Sequence, residues 1–419
     1  MRIIKENHQG ISTILAFALI PLSGFATDIY IPSLPAMAVQ LGVNNAAVQL
    51  SIVSFMVSYG ISQLFVGSLL DSFGRFRLGI AALFVFTAAS FTIALTHNIY
   101  LIYAMRILHG IAVAFIVVGK RAYFMDIYTG EKLKHYISLF SIVWASAPII
   151  APFVGGYLQA SFGWQSNFYF LGGMALVIMI LELIYSGESL KIFHLFHFRS
   201  IVNVYSSMLK AGDFTLGMVI IALSYSMLVV FGMTSPFIIE HVFNFSPVVS
   251  GYSALLSGVS LLIGGIISKA LIKKPLNSKI GAAVSLQIIF ALLMIVTTRL
   301  WSSIYTMMAF VVGIHLLAGF IFNNVFAYCL GRFTKNAGVA SGITGGGLYI
   351  ITSFFSYSIA STIHITAPAL LGGAYLLLAL LLLAAFGLFR KAKDVQAAEK
   401  GLAKVAAQVV YQTGKKDIK

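Results

Sequence analysis

"GSLLDSFGRFRLG", residues 67–79, lies between two apolar runs, 47–70 and 78–96, each long enough to cross a bilayer. Its chemistry is that of a tight turn at a membrane face. Gly67 and Gly74 permit close backbone approach, Asp71 fixes a negative charge, and Arg75 follows four residues on. A turn carrying positive-inside charge and a local ion pair accounts for the arginines but not for two glycines framing an aspartate. The stretch therefore predicts a helix–turn–helix inside a larger membrane bundle, with Asp71 available to a third element.

Outward from that turn, the same apolar length recurs. Candidate spans cover 11–36, 47–70, 78–96, 99–127, 135–160, 164–186, 214–239, 247–271, 278–298, 301–329, 338–362 and 366–389, twelve in all. The composition agrees: 59% of residues are hydrophobic and 9% charged, with a mean hydropathy of +0.96, a balance that a bilayer solvates and water does not. The net charge of +15 is placed asymmetrically. Arg75, Arg77, Lys132, Lys134, Lys273, Lys274, Lys279, Arg332 and Lys335 fall in alternate connections, whereas the connections between them contain only Arg299. The positive-inside rule thus places both termini in the cytoplasm, and the basic excess expresses topology and attraction to anionic lipid rather than a nucleic-acid partner. A cleavable leader, suggested by Arg2, Lys5, Gly24 and Ala26, is disfavoured because its loss leaves eleven spans. The single Cys329 excludes an intramolecular disulfide.

The longest internal polar segment, 187–213, divides the chain into six-helix halves, 1–186 and 214–389, followed by a basic tail, 390–419. Two halves of equal hydropathy pattern characterise alternating-access transporters. His194, His197 and Arg199 fit a solvated or membrane-surface amphipathic helix better than a metal or lipid-head site. The tail is expected to be a surface-lying or mobile segment.

A charge at the centre of a spanning helix costs about 2.5–3.5 kcal/mol on insertion scales, so each one invites a functional explanation. Asp28, in "TDIYIPSLP" (27–35), and Arg106 are the candidates. Asp28 is either a protonatable residue lining a cavity or a structural carboxylate near the interface, with Pro32 and Pro35 bending or ending the helix beyond it. A carboxyl group exchanges a proton where the balance between desolvation and a nearby cation changes, which suits it to exchange a proton for cargo. Arg106 stays charged, and it tunes Asp28, binds anionic groups or pairs with carbonyls. His109, three residues on, is a proton-relay candidate or a packing residue. Tyr30, Tyr59, Gln63, Tyr225, Asn323 and Asn324 are candidate cavity contacts, each equally explained by interhelical hydrogen bonds; His315 is a further intramembrane polar group. Glu182 and Glu240 are expected at opposite interfaces.

In helix 5, Ala147, Ala151 and Gly155 form a ridge of small residues, with Pro148, Pro152 and Gly156 alongside; in helix 8, Ser250, Ala254 and Gly258 form another. These faces predict that helices 5 and 8 meet across the two halves, as a gate or as static packing.

The turn at 67–79 resembles the signature inner loop of the major facilitator superfamily. "RILHG" (106–110) is similar to that family's helix 4 motif, with His109 where glutamine is usual, and "APIIAPFVGG" (147–156) to the helix 5 motif of its drug/proton antiporters. "TDIYIPSLP", "KRAYFMDIY" (120–128) and "FGWQSNF" (162–168) resemble Bcr/CflA-like drug-resistance transporters, most strongly over 20–170, while the second half offers mainly "GVASGITGG" (338–346). The resemblance implies an all-α fold of two six-helix bundles around a central cavity and a proton-coupling role for Asp28; no carboxylate stands earlier in helix 1, where some members of the family carry a second one. Asp71 then meets the N-terminal partial charge of helix 11 near Gly338 and latches the inner side. The expected function is proton-driven export of a small organic molecule, drug-like or a secreted metabolite such as a siderophore, with no cofactor beyond the proton gradient, by a functional monomer in a bacterial cytoplasmic membrane. An uptake symporter is the alternative. An enzyme is disfavoured, since no nucleophile motif, P-loop or intramembrane ligand cluster is present in the sequence.

Overall fold

The computed structural model describes residues 4–193, 198–333 and 337–392. The readings made of His194, His197, the Arg199 side chain and the tail from 393 onward fall outside the described residues. Among those described, the chain is helical without β-strands, and twelve segments are long and apolar enough to span a membrane.

The first span is not one helix. It comprises α1 (Gln9–Leu19), α2 (Leu22–Asp28), a 3₁₀ turn (Ile31–Ser33) and α3 (Leu34–Leu41). Pro21 sits at the first break, where the ring removes a backbone donor, and Pro32 opens the 3₁₀ turn directly after Asp28. The prolines therefore break the span around the aspartate, and helix resumes through α3 instead of ending.

The remaining spans of the first half are α4 (Asn45–Phe73), α5 (Arg75–Leu95), α6 (Ile99–Ile127), α7 (Gly130–Phe162) and α8 (Gln165–Tyr185). Asn44 and Asn98 cap α4 and α6 by accepting backbone N–H bonds, and α7 carries Pro148 and Pro152 in its interior. A linker helix, α9 (Phe198–Leu209), precedes α10 (Gly212–His241), α11 (Pro247–Ala270), α12 (Leu276–Leu300), α13 (Ile304–Arg332), α14 (Ala337–Ile363) and α15 (Pro368–Lys391).

Buried apolar side chains form one cluster from Leu15 to Ile178, which also takes in Met233, Phe237 and Tyr349 from across the seam, and another from Met208 to Phe389, so each half has a core and the first reaches into the second half. The outward faces carry exposed Ile142, Phe84, Leu293 and Leu300, side chains that lipid solvates without cost. The halves meet through α4 with α14 and α7 with α11. The amphipathic α9 is not simply solvated: Met208 is buried, Tyr205 packs on the second core, and its hydroxyl donates to the Leu64 carbonyl of α4 in the other half.

Glycine permits two approaches that fix this arrangement. A Cβ at Gly155 would lie 1.6 Å from the Ile29 carbonyl oxygen, and one at Gly156 would lie 2.7 Å from that of Pro247. The small-residue faces of α7 thus divide their work. Ala147, Ala151 and Gly155 receive the broken first span, Gly24 lying against Ala147, while Ile149, Pro152 and Gly156 meet Gly258, Gly251 and Pro247 of α11. Helices 5 and 8 do meet across the halves. The side that faces α11, however, runs through Ile149, Pro152 and Gly156 and not 147/151/155, because the first span occupies the latter together with Pro148.

Candidate functional site

Between the halves lies a cavity. The first half contributes Asp28 at the C-terminal end of α2, with Thr27, Ile52, Pro148 and Pro152; the second contributes Tyr225, Phe231, Met233, Ala254 and Ser257. Its polar members are Thr27, Asp28, Tyr225 and Ser257, set in an otherwise apolar wall. The Thr27 hydroxyl is committed to the Ser23 carbonyl at 2.7 Å. Asp28 makes no ion pair among the described residues. It is a cavity residue.

Arg106 is wholly buried behind that wall and does not line the cavity. Its Nη1 donates to the Ala26 carbonyl at 2.8 Å and its Nε to the Ser51 carbonyl at 3.4 Å, while the guanidinium lies 4.8 and 4.5 Å from the Tyr30 and Phe55 ring centres. Of the three sequence readings for Arg106, carbonyl pairing is the one its hydrogen bonds display. Two of these partners, Ala26 and Tyr30, flank Asp28, so the cation braces the broken helix that presents the carboxyl group.

His109 is also fully buried, with its ring stacked on Phe86 at 4.4 Å. Ser90 donates its hydroxyl to the Phe86 carbonyl, so its lone pair accepts from His109 Nε2 at 3.0 Å, and Nε2 also reaches that carbonyl at 3.2 Å. Nδ1 then accepts from Arg106 Nη1 at 3.3 Å. These partners assign the Nε2–H tautomer and make His109 a bracket for Arg106, outside the cavity lining.

The other candidate contacts separate. Tyr225 lines the cavity. Tyr30 is core, its hydroxyl 2.9 Å from Ser51 Oγ and its ring against Phe168. Tyr59 is buried at the α4–α14 seam, 4.7 Å from the Tyr349 ring centre, and Gln63 faces Gly345 of the same seam. Asn323 donates to the Gly265 carbonyl at 2.9 Å and Asn324 to the Phe320 carbonyl at 2.8 Å, both outside the cavity lining. An interhelical hydrogen bond needs the same residue types as a pocket, and composition alone does not separate them.

At the linker end of the bundle, Arg75 pairs with Asp71 at 3.0 Å and with Asp126 of α6. Glu188, just past α8, accepts the backbone N–H groups of Arg75 at 3.0 Å and Phe76 at 3.1 Å, capping α5. Ser189 adds a 2.8 Å bond to Asp126. Sequence reading missed Glu188, because a carboxylate in a polar linker gives no signal that it is buried. Gly74 is required here, with φ at +94°, but a Cβ at Gly67 would meet nothing within 4 Å, so close approach does not explain that residue. Glu182, near the end of α8 as expected, is 1% exposed and bound to Lys120 at 2.7 Å beside a second cavity. The lysine in "KRAYFMDIY" was the available clue.

Two bundles joined at a seam, with a lone carboxyl group in the cavity between them, make the architecture of an alternating-access membrane transporter. Residues 16–356 match the model of the Major Facilitator Superfamily, and the chain belongs to that superfamily. It is 25% identical over 330 residues to an uncharacterized MFS-type transporter, YdgK, of Bacillus subtilis, a match covering 76% of this chain and 80% of that protein. It is also 30% identical over 156 residues to a bicyclomycin resistance protein homolog of Haemophilus influenzae, covering 37% of this chain and 39% of that protein. That second match spans about two-fifths of the relative's length. Among solved structures, a bacterial homolog to the human lysosomal transporter Spinster, inward-facing and unoccupied, superposes with a TM-score of 0.70 at 12% identity, over 93% of this chain and 98% of that one. At that identity the likeness establishes the fold.

Proposed function

We propose that this chain is a proton-coupled antiporter that exports small organic molecules, drug-like compounds or a secreted metabolite, across a bacterial cytoplasmic membrane, with both termini inside. One observation carries the reading: Asp28 faces the cavity at the seam without an ion-pair partner among the described residues. A carboxylate left unpaired in a low-dielectric site costs several kcal/mol, and moving a two-state protein from one arrangement almost wholly to the other takes about 5.5 kcal/mol, so gain or loss of one proton there is of the right scale. When the cavity opens outward, Asp28 takes a proton and cargo leaves; when it opens inward, the proton leaves and cargo is captured. The ligand shifts the equilibrium because it binds the two arrangements unequally. The apolar wall with a few polar groups suits weakly selective amphiphiles. The helix 5 motif and the name of the Haemophilus relative favour export.

Inside-out vesicles energised to acidify their lumen test it, with ethidium as probe. Wild-type protein accumulates ethidium on energisation, and Asp28→Asn binds the dye without accumulating it. Accumulation by Asp28→Asn equal to wild type removes the role given to Asp28, and dye driven out of the lumen by the gradient makes the protein an importer.

A further inference from the structure

The second half contains a buried polar chain that the proton-coupling scheme does not use. Ser257 of α11, on the cavity wall, lies 2.7 Å from His315 Nδ1 of α13, and His315 Nε2 lies 3.0 Å from the Tyr375 hydroxyl of α15. Ser257 is 1% exposed, and His315 and Tyr375 are fully buried. Phe231, itself a cavity residue, meets the imidazole edge-on at 5.5 Å, and the Tyr375 ring does so at 5.6 Å. The imidazole is therefore held by three helices, and both of its nitrogens are used.

Three polar side chains in a membrane core are costly to desolvate and gain little over an apolar trio of similar volume, so packing alone is a weak reason for them. Their arrangement has a direction. The chain begins at the cavity and ends in the core, and the one member with unused hydrogen-bonding capacity on the cavity side is Ser257. A serine hydroxyl offers one donor and two acceptor sites; His315 takes one of the three, and the imidazole fixes where the others lie. A freely rotating hydroxyl offers no fixed direction to a ligand, whereas one anchored at 2.7 Å does.

We infer that Ser257 contacts cargo and sets specificity, with His315 and Tyr375 as positioning residues, and that the site selects amphiphiles bearing an uncharged hydroxyl or amide group over apolar ones that lack it. This rests on the reading of the cavity as the cargo site. Asp28 on the first half and Ser257 on the second then hold different groups of one molecule, so that cargo bridges the seam that must rearrange. Discrimination follows from polar groups that are left unpaired when the matching group is missing.

The test measures equilibrium binding to the purified full-length protein of two probes: chloramphenicol, uncharged with hydroxyl and amide groups, and tetraphenylphosphonium, which has no hydrogen-bonding group. Ser257→Ala is expected to weaken chloramphenicol about tenfold and leave tetraphenylphosphonium within about twofold, the value of one hydrogen bond. His315→Leu gives the same selective loss, His315→Asn recovers most of it by restoring a partner near Nδ1, and Tyr375→Phe costs about threefold. Equal weakening of both probes in Ser257→Ala, unchanged chloramphenicol affinity, or His315→Asn no better than His315→Leu each overturns the inference while leaving the cavity as the cargo site. Wild-type protein that binds neither probe overturns the cavity reading itself.

Discussion

At the scale of single residues, the informative side chains are those whose burial contradicts their chemistry. Asp28 is legible in the sequence because a carboxylate inside a 20-residue apolar run has few explanations. Arg106 and His109 are legible as intramembrane, but their sequence spacing does not reveal that their partners are carbonyls and a serine on three other helices. Glu182 is legible only in part for a related reason. Its place near a span end fits an interfacial acid, and only the fold brings Lys120 to within 2.7 Å. Removing one member of a buried ion pair strands the other, at a cost of about 3–5 kcal/mol, whereas replacing both with apolar residues is often neutral. Glu182→Leu is therefore expected to lower the thermal unfolding midpoint in detergent markedly, and Lys120→Met with Glu182→Leu to recover most of the loss. A double variant no more stable than the single one would show that the pair is not the source of the effect.

At the scale of elements, length and hydropathy specify the helices, and small-residue ridges specify which of them touch. The α7–α11 contact was readable from four-residue spacing. The face that makes it was not, since both ridges of α7 satisfy the same pattern and only the break of the first span at Pro21 and Pro32 decides which one α2 occupies. That division gives separable expectations. Gly155→Ala places a methyl against the Ile29 carbonyl oxygen and displaces the segment carrying Asp28; Gly156→Ala places one against Pro247 and loosens the seam instead. Overpacking of this kind costs about 1–3 kcal/mol. In energised vesicles Gly155→Ala should reduce gradient-driven accumulation more than ethidium binding. Gly156→Ala should speed thiol labelling of a cysteine introduced at Ala254 on the cavity wall. The same phenotype from both substitutions would mean that the two faces act as one.

At the scale of the whole molecule, the halves meet at a seam where Met233, Phe237 and Tyr349 pack into the first half's core, and that seam is fastened at both ends. Toward the linker end, Arg121 Nη1 donates to Ser341 Oγ at 3.0 Å, and Tyr205 reaches the α4 backbone. Toward the other end, Gln49 Nε2 donates to the Met233 carbonyl at 2.9 Å, and the Tyr157 and Tyr252 hydroxyls lie 2.9 Å apart. The cavity lies between these two sets of contacts. If cargo crosses by rocking one half against the other, the sets must open in alternation, and a covalent tie at either end stops the cycle without touching Asp28. Tyr157→Cys with Tyr252→Cys, bridged by a reducible bifunctional methanethiosulfonate long enough for the span between the two backbones, is the direct experiment. The native Cys329 is buried on α13 and stays out of the reaction. Bridged protein should still bind probe from the linker side, lose all gradient-driven accumulation, and regain it on reduction. Transport that continues at an unchanged rate while the bridge is intact would mean that the halves do not separate at that end, and the cavity would then need a different route to the opposite face.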